Sequence, residues 1–333
     1  MITLEQWRNS NKFTRSEQQL LNIPINRNNY SCVNYGYYEI EMLNYLSFYG
    51  FGLNKCCRIK VTDCATSFIK LLFDKYTNDD TLIITTRYEH PNVNSILATK
   101  KHVLFVDFNN DNFNNIAFQK QMHEYDKIFI YISGTQISNG SVVSDYCIDK
   151  LITSIGDKNI IKVLDDVQGM FMIPRDYNKY DYIIGTAHSL VPFYDMGILI
   201  DNCLSDISSY DGTIWLKGYL DRLKIVMSRV DVMNQFYDIC KQQFQDLFKK
   251  YNITYFDNHC RHIFAFNLGK FSFSDKMGEL LFNNRIFLHH PIQYNIENSG
   301  SSIKIRAQEF LRFDYCIDKG IKYLEMLLKQ VNF

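Results

Sequence analysis

The sequence predicts an α/β fold built on a mostly parallel sheet. Three observations lead there. From Arg58 onward, short segments rich in β-branched residues alternate with segments of helical periodicity, the order expected of strand–helix–strand units. The short segments, such as Lys127–Ser133, are nearly continuous apolar runs, as strands covered on both faces require. The chain has 333 residues and is 46% hydrophobic, enough to bury a sizeable core.

The elements follow in order. Residues 1–50 are polar and rich in Asn and Tyr, and read as an N-terminal arm with a short helix near 38–45. Arg58–Thr62 reads as a strand, 65–75 as a helix and 81–86 as a strand; 91–98 is helical and 103–108 a strand. Lys127–Ser133 is a buried strand, Asp145–Ile155 a helix and 160–164 a strand; Tyr182–Thr186 and 197–200 are two more strands. After Asp211 the pattern changes. Residues 215–251 form one long, charge-rich helical region, followed by strands near 262–268 and 302–305. In 313–331, Ile317, Ile321, Leu324 and Leu328 recur at helical spacing. The expected organisation is an arm (1–50), a large α/β domain (51–235) and a small C-terminal α+β domain (236–333).

Charge and composition exclude several classes. Lys+Arg and Asp+Glu both number 36, so the basic excess of a typical nucleic-acid binder is missing. No apolar run reaches the length of a membrane span, and the opening Met1-Ile2-Thr3-Leu4-Glu5-Gln6 is not a signal peptide. The 9 cysteines are odd in number, scattered and without a Cys-x-x-Cys pair, which argues against a zinc ribbon and for free thiols in a reducing, cytoplasmic setting.

Open α/β sheets bind ligands beyond the carboxyl ends of their strands, so the residues there are the candidates. After the first strand, Asp63-Cys64-Ala65-Thr66-Ser67 opens a helix whose N–H groups attract anions; the same residues also suit a plain helix cap. His90 follows the second strand, where an imidazole either stacks on a planar ring or serves an ordinary loop. Asp165-Asp166-Val167-Gln168 ends a buried strand, where a carboxylate is costly unless paired with a cation, a metal or a helix cap. Thr186 and His188 follow the strand at Tyr182–Thr186.

The ordered set resembles the fold-type-I pyridoxal-phosphate transferases, a superfamily that includes class V aminotransferases, cysteine desulfurases and α-oxoamine synthases. Thr62-Asp63-Cys64-Ala65-Thr66-Ser67 is similar to the family's phosphate cup, and Glu89-His90-Pro91 to the class V element whose histidine stacks on the pyridine ring. Asp165 and Gln168 match the aspartate that pairs with the pyridine nitrogen and the residue that contacts the ring or its hydroxyl. Gly185-Thr186-Ala187-His188-Ser189, with Gly197 beyond, resembles the segment that carries the cofactor lysine. Ser302-Ile303-Lys304-Ile305-Arg306 and residues 314–328 resemble the closing strand and helix, with Arg306 matching an arginine that binds a substrate carboxylate. The resemblance runs from about Lys60 to the C-terminus. It implies a seven-stranded large-domain sheet, a homodimer, and an amino or keto small-molecule substrate. Cys64, Ala65, Thr66, His90, Asp165, Gln168 and Thr186 become the cofactor-binding candidates, with no metal.

One departure outweighs the matches. Ser189 stands where the family has its lysine. Covalent attachment of the cofactor needs a primary amine, and a serine hydroxyl offers none. Cys64 replaces a common glycine, and a third departure lies at Gln136–Gly140, where the family often places an asparagine near the ring hydroxyl. Three readings stay open. Pyridoxal or pyridoxamine phosphate is held without a covalent link and His188, next to Ser189, moves protons, as a histidine does in some sugar dehydratases of this family. Alternatively the protein is an inactive scaffold, a pseudoenzyme. The third reading is an altered residue or a shifted register, although Lys179 and Lys217 do not fit the strand end. Phe193 and Tyr194 line the site or pack a dimer, and His289 and His290 close over substrate or sit in an ordinary loop.

Overall fold

A computed structural model of the chain describes residues 14–22, 35–54, 56–108, 116–191, 196–207, 213–256, 260–267, 287–289, 301–304 and 317–330. Seven strands form one sheet: β1 (Arg58–Thr62), β2 (Thr81–Thr85), β3 (Val103–Phe105), β4 (Lys127–Ser133), β5 (Asn159–Asp165), β6 (Tyr182–Thr186) and β7 (Gly197–Asp201). Their order is β1-β7-β6-β5-β4-β2-β3, and only β7 runs antiparallel to its neighbours. The mostly parallel, seven-stranded sheet agrees with the sequence expectation.

The central strands are apolar where both faces are covered. All five residues of β2, β6 and β7 are buried. One face of the sheet carries Ile83, Phe129, Tyr131, Val163, Tyr182, Ile184 and Leu199 against Phe68, Leu72 and Phe73. Those three belong to the helix α3 (Ala65–Tyr76). The other face, including Leu82, Ile84, Ile128, Ile130, Ile132 and Ile198, joins the larger core.

Among the described residues of the N-terminal arm are two helices, α1 (Arg15–Asn22) and α2 (Tyr35–Phe48). The second is longer than the 38–45 expected. It packs on β1 and on a later helix, and its buried Glu39 accepts the Ile59 amide (2.8 Å). Next come α4 (Pro91–Leu97), α5 (Ile116–His123) and α6 (Asp145–Ile155). The helical region expected over 215–251 holds two helices, α7 (Thr213–Met227) and α8 (Val230–Lys250). The break falls at Ser228-Arg229, where Arg229 leaves the helical conformation and its guanidinium reaches Glu17 of α1 (2.8 Å). No glycine or proline marks it, so periodicity runs through it unbroken.

A second sheet holds β8 (Thr254–Phe256), β9 (Ile263–Asn267), β10 (Phe287–His289) and β11 (Ser301–Lys304), all antiparallel in the order β10-β11-β9-β8. The helix α9 (Ile317–Gln330) packs on α8. Strands β8 and β10 and helices α1 and α5 had no sequence expectation, and β3 ends at Phe105 rather than 108.

Every cysteine among the described residues is free. Cys56, Cys64 and Cys203 are exposed, Cys147 is half-buried, and Cys57, Cys240 and Cys260 are buried. No helix among the described residues is long and apolar enough to cross a membrane, and none of their His, Cys, Asp and Glu side chains cluster into a metal site.

Candidate functional site

The strand order fixes where a ligand can sit. The connection leaving β2 runs outward to β3, whereas the chain leaving β4 steps the other way through β5, β6 and β7. The crevice beyond the carboxyl ends of β2 and β4 is therefore the switch point, where such sheets bind ligands. Glu89 and His90 follow β2, Ser133 ends β4 and Asp165 ends β5.

Asp165 is buried (6% exposed) and is the register partner of Ser133 on the adjacent parallel strand. Its Oδ2 accepts the Tyr131 hydroxyl (2.6 Å) and its Oδ1 the Val167 amide (3.1 Å). Burial pushes its carboxyl above the usual range, opposed by Tyr131, by Val167 and by the charge of nearby His90. Two donors fix its orientation, and its oxygens retain lone pairs for a cationic partner.

Ser189 lies in the short turn Ala187–Ser189 after β6, and its hydroxyl donates to the Val167 carbonyl (2.5 Å). The position resembling the lysine thus meets the segment resembling the aspartate motif. Gln168, on that segment, has a buried Oε1 with no hydrogen-bond partner. The side chain of His188 lies outside what the structure describes. So do Arg306, Phe193, Tyr194, His290 and the side chain of His289.

The start of α3 lies against β7. A Cβ on Gly197 would collide with the backbone of Cys64 and Ala65, so only glycine permits this approach. Cys64 is the cap residue of α3 and makes no side-chain capping bond. Neither Thr66 nor Ser67 caps the helix. Asp63 does the local work: its Oδ1 accepts the Cys64 amide (2.8 Å), the Ser67 hydroxyl (2.7 Å) and the Thr62 hydroxyl (3.0 Å). The hydroxyls of Ser67 and Thr62 hold its carboxyl below the usual range. Thr66 accepts the Asn92 amide (3.4 Å), which ties the start of α4 to the start of α3. His90 caps α4 by accepting the Asn92 backbone N–H at Nδ1 (3.2 Å). In the neutral ring that bond leaves the proton on Nε2 of an exposed imidazole. Thr186 turns its hydroxyl to the Met196 carbonyl (3.2 Å).

Beneath the crevice lie buried acids that the sequence reading passed over. Glu89 is fully buried; it accepts the Thr86 hydroxyl (2.7 Å), the Ser133 amide (3.2 Å) and the Ser133 hydroxyl. Burial pushes its carboxyl up to about 7, with Asp165 adding to the rise and the Ser133 and Thr86 donors opposing it. Asp166 is also fully buried. It accepts the Tyr177 hydroxyl (2.5 Å) and pairs with Arg175 (3.3 Å); burial pushes it up to about 6, opposed by Arg175 and Tyr177. Arg175 also donates to the carbonyls of Val143 (2.6 Å) and Gly134. The motif reading of Glu89-His90-Pro91 rested on the histidine, and Tyr131 lies inside an apolar strand; the adjacency of β2, β4 and β5 is what brings Glu89 and Tyr131 to Asp165.

These residues fit a ring with a basic nitrogen and a hydroxyl. Asp165 is an oriented acceptor for the nitrogen, and the orphaned Gln168 oxygen needs a donor. The anion end is mixed: the first turn of α3 offers backbone N–H groups, but the Asp63 carboxylate already stands beside them.

No protein-family model matches the sequence, and no curated protein matches it. Solved structures do match the fold. A NifS-like protein superposes with a TM-score of 0.68 at 12% identity, covering 96% of this chain and 97% of that one. The PLP-bound C-S lyase from Staphylococcus hominis gives 0.67 at 10% identity, with 96% and 91% covered. Ureidoglycine-glyoxylate aminotransferase from Bacillus subtilis gives 0.64 at 11% identity, with 96% and 90% covered.

Proposed function

From a chain with the fold-type-I pyridoxal-phosphate transferase fold, we infer a site that binds pyridoxal or pyridoxamine phosphate without a covalent link and serves an aminotransferase-like reaction on an amino or keto substrate. The supporting observation is the pair of contacts converging on Val167. Its amide orients Asp165 as a buried acceptor, and its carbonyl takes the hydroxyl of Ser189, where an attaching amine is required.

Asp165 would hold the ring nitrogen, His90 the ring face and Gln168 the ring hydroxyl. Cys64, Ala65 and Thr66, with Thr186, would meet the phosphate. When bound, the ring supplies an electron sink for the substrate carbon next to nitrogen. Lacking a lysine, the chain would move the proton at that carbon with His188, an imidazole being a common general base. Arg306 would bind a substrate carboxylate. We assign the protein to a cytoplasmic homodimer.

A second reading, an inactive scaffold, is favoured by Asp63, whose carboxylate meets the helix start where a phosphate would bind.

Equilibrium binding of pyridoxal phosphate and pyridoxamine phosphate, followed by borohydride treatment and mass analysis, tests the proposal. Binding without a reduced adduct is expected, and Asp165→Ala should lose the binding. A lysine adduct on the wild type would overturn the non-covalent site. Absence of any binding would leave the scaffold reading.

A further inference from the structure

Resting on that reading, we propose that Glu89 is a positioning residue of the same site. From beneath the switch crevice it adds or withholds a negative charge beside Asp165, and so sets how firmly the site holds a ring with a cationic nitrogen.

The geometry carries the argument. Glu89 is buried between the ends of β2 and β4, with one donor from Thr86 and two from Ser133. Ser133 donates to Glu89 and is paired in register with Asp165, so one residue at the end of β4 links the two acids. The groups facing them are few. Tyr131 on β4 donates to Asp165, and its own ionisation is disfavoured by burial and by both acids. His90, next in sequence to Glu89, stabilises the charge of Asp165. Asp166, the neighbour of Asp165 on the chain, is matched by Arg175 and Tyr177 instead. Glu89 has no cation of its own among its bonding partners.

Two carboxylates in one buried edge resist ionising together. Without a ligand, Glu89 keeps its proton up to neutral pH. A cationic ring nitrogen against Asp165 removes part of that repulsion, so binding should release a proton from Glu89. In return, ionised Glu89 strengthens the hold on the nitrogen. The coupling is reciprocal by linkage.

The test is the pH profile of pyridoxal phosphate affinity in the wild type and in Glu89→Gln, which keeps the shape and fixes the charge at zero. The ligand's own titrations appear in both profiles, so their ratio isolates Glu89. The wild type should gain affinity over the variant as pH rises from 6 to 8, by about tenfold for each pKa unit the ligand moves Glu89. Inorganic phosphate, which has no ring nitrogen, should give parallel profiles. If Glu89→Gln does not fold, Ser133→Ala serves: losing a donor to Glu89 should move the wild-type inflection to higher pH. Parallel pyridoxal phosphate profiles, or an unmoved inflection in Ser133→Ala, would overturn the role of Glu89 while leaving the cofactor site standing. No binding by the wild type at any pH would overturn both.

Discussion

The hydroxyl of Ser189 donates to the carbonyl of Val167 at 2.5 Å, and the amide of that same valine donates to Asp165. The end of β6 is thereby stitched to the turn after β5. A lysine at position 189 would leave that carbonyl without this donor and project an amine from the same strand end.

Ser189→Lys is therefore expected to gain what the wild type lacks. Treated with pyridoxal phosphate and borohydride, the variant should carry one reduced adduct on residue 189, seen by peptide mass analysis. Ser189→Ala, which only removes the hydrogen bond, should lower unfolding stability by about 1 kcal/mol and leave the wild-type lack of adduct unchanged. A Ser189→Lys protein that folds and binds the ligand yet stays unmodified would show that position 189 does not face the ring.

Asp63 should discriminate against the phosphorylated ligand. Its carboxylate shares the first turn of α3 with any bound anion, and its donors keep it ionised across the neutral range. Asp63→Asn keeps an acceptor for the Cys64 amide and removes the charge. The ratio of pyridoxal phosphate to pyridoxal affinity should then rise, by a few-fold at the screening of a surface site. An unchanged ratio would place the phosphate away from α3. A rise would also weaken the scaffold reading, because it requires an anion at that turn.

The parts of the fold legible in the sequence were those with a period. The seven strands and the helices α3, α4 and α6 between them stand out, most clearly where both sheet faces are covered, as in β2, β6 and β7, which are buried throughout. The antiparallel placing of β7 left no local mark. It depends on pairing across both edges, with β1 on one side and β6 on the other. The site was half legible. His90, Asp165 and Ser189 fall at strand ends, where the order of motifs pointed. Glu89 and Tyr131 matter only because β2, β4 and β5 lie side by side, and Asp63 because it folds back on its own helix.

Gly197 should be intolerant of any side chain. The Cβ of an alanine there would press on the backbone of Cys64 and Ala65, which cannot rotate away as a flexible side chain can. Gly197→Ala is expected to shift the turn between β1 and α3, with a destabilisation of about 1–3 kcal/mol by chemical unfolding. Pyridoxal phosphate affinity should fall with it, and pyridoxal affinity less, because the proposed site meets the phosphate at that turn. Equal losses for the two ligands would separate the turn from the phosphate.

Arg175 should be essential in proportion to pH. It is the buried counter-charge of Asp166 and holds the carbonyls of Gly134 and Val143. Asp166 is pushed from the usual carboxylate range to about 6 when folded. The folded chain therefore binds more protons than the unfolded one between about pH 4 and 6, and this residue's contribution to stability falls as pH rises through that window. Arg175→Ala strands the carboxylate and raises its pKa further. The loss should be about 3–5 kcal/mol at pH 8 and clearly smaller at pH 5, where Asp166 takes up a proton instead. Measured against Asp166→Asn alone, adding Arg175→Ala should cost the same at both pH values and leave only the part due to the two carbonyls. Urea unfolding of the two variants at both pH values gives the comparison. A loss of equal size at pH 5 and pH 8 would mean that Arg175 acts through the carbonyls alone.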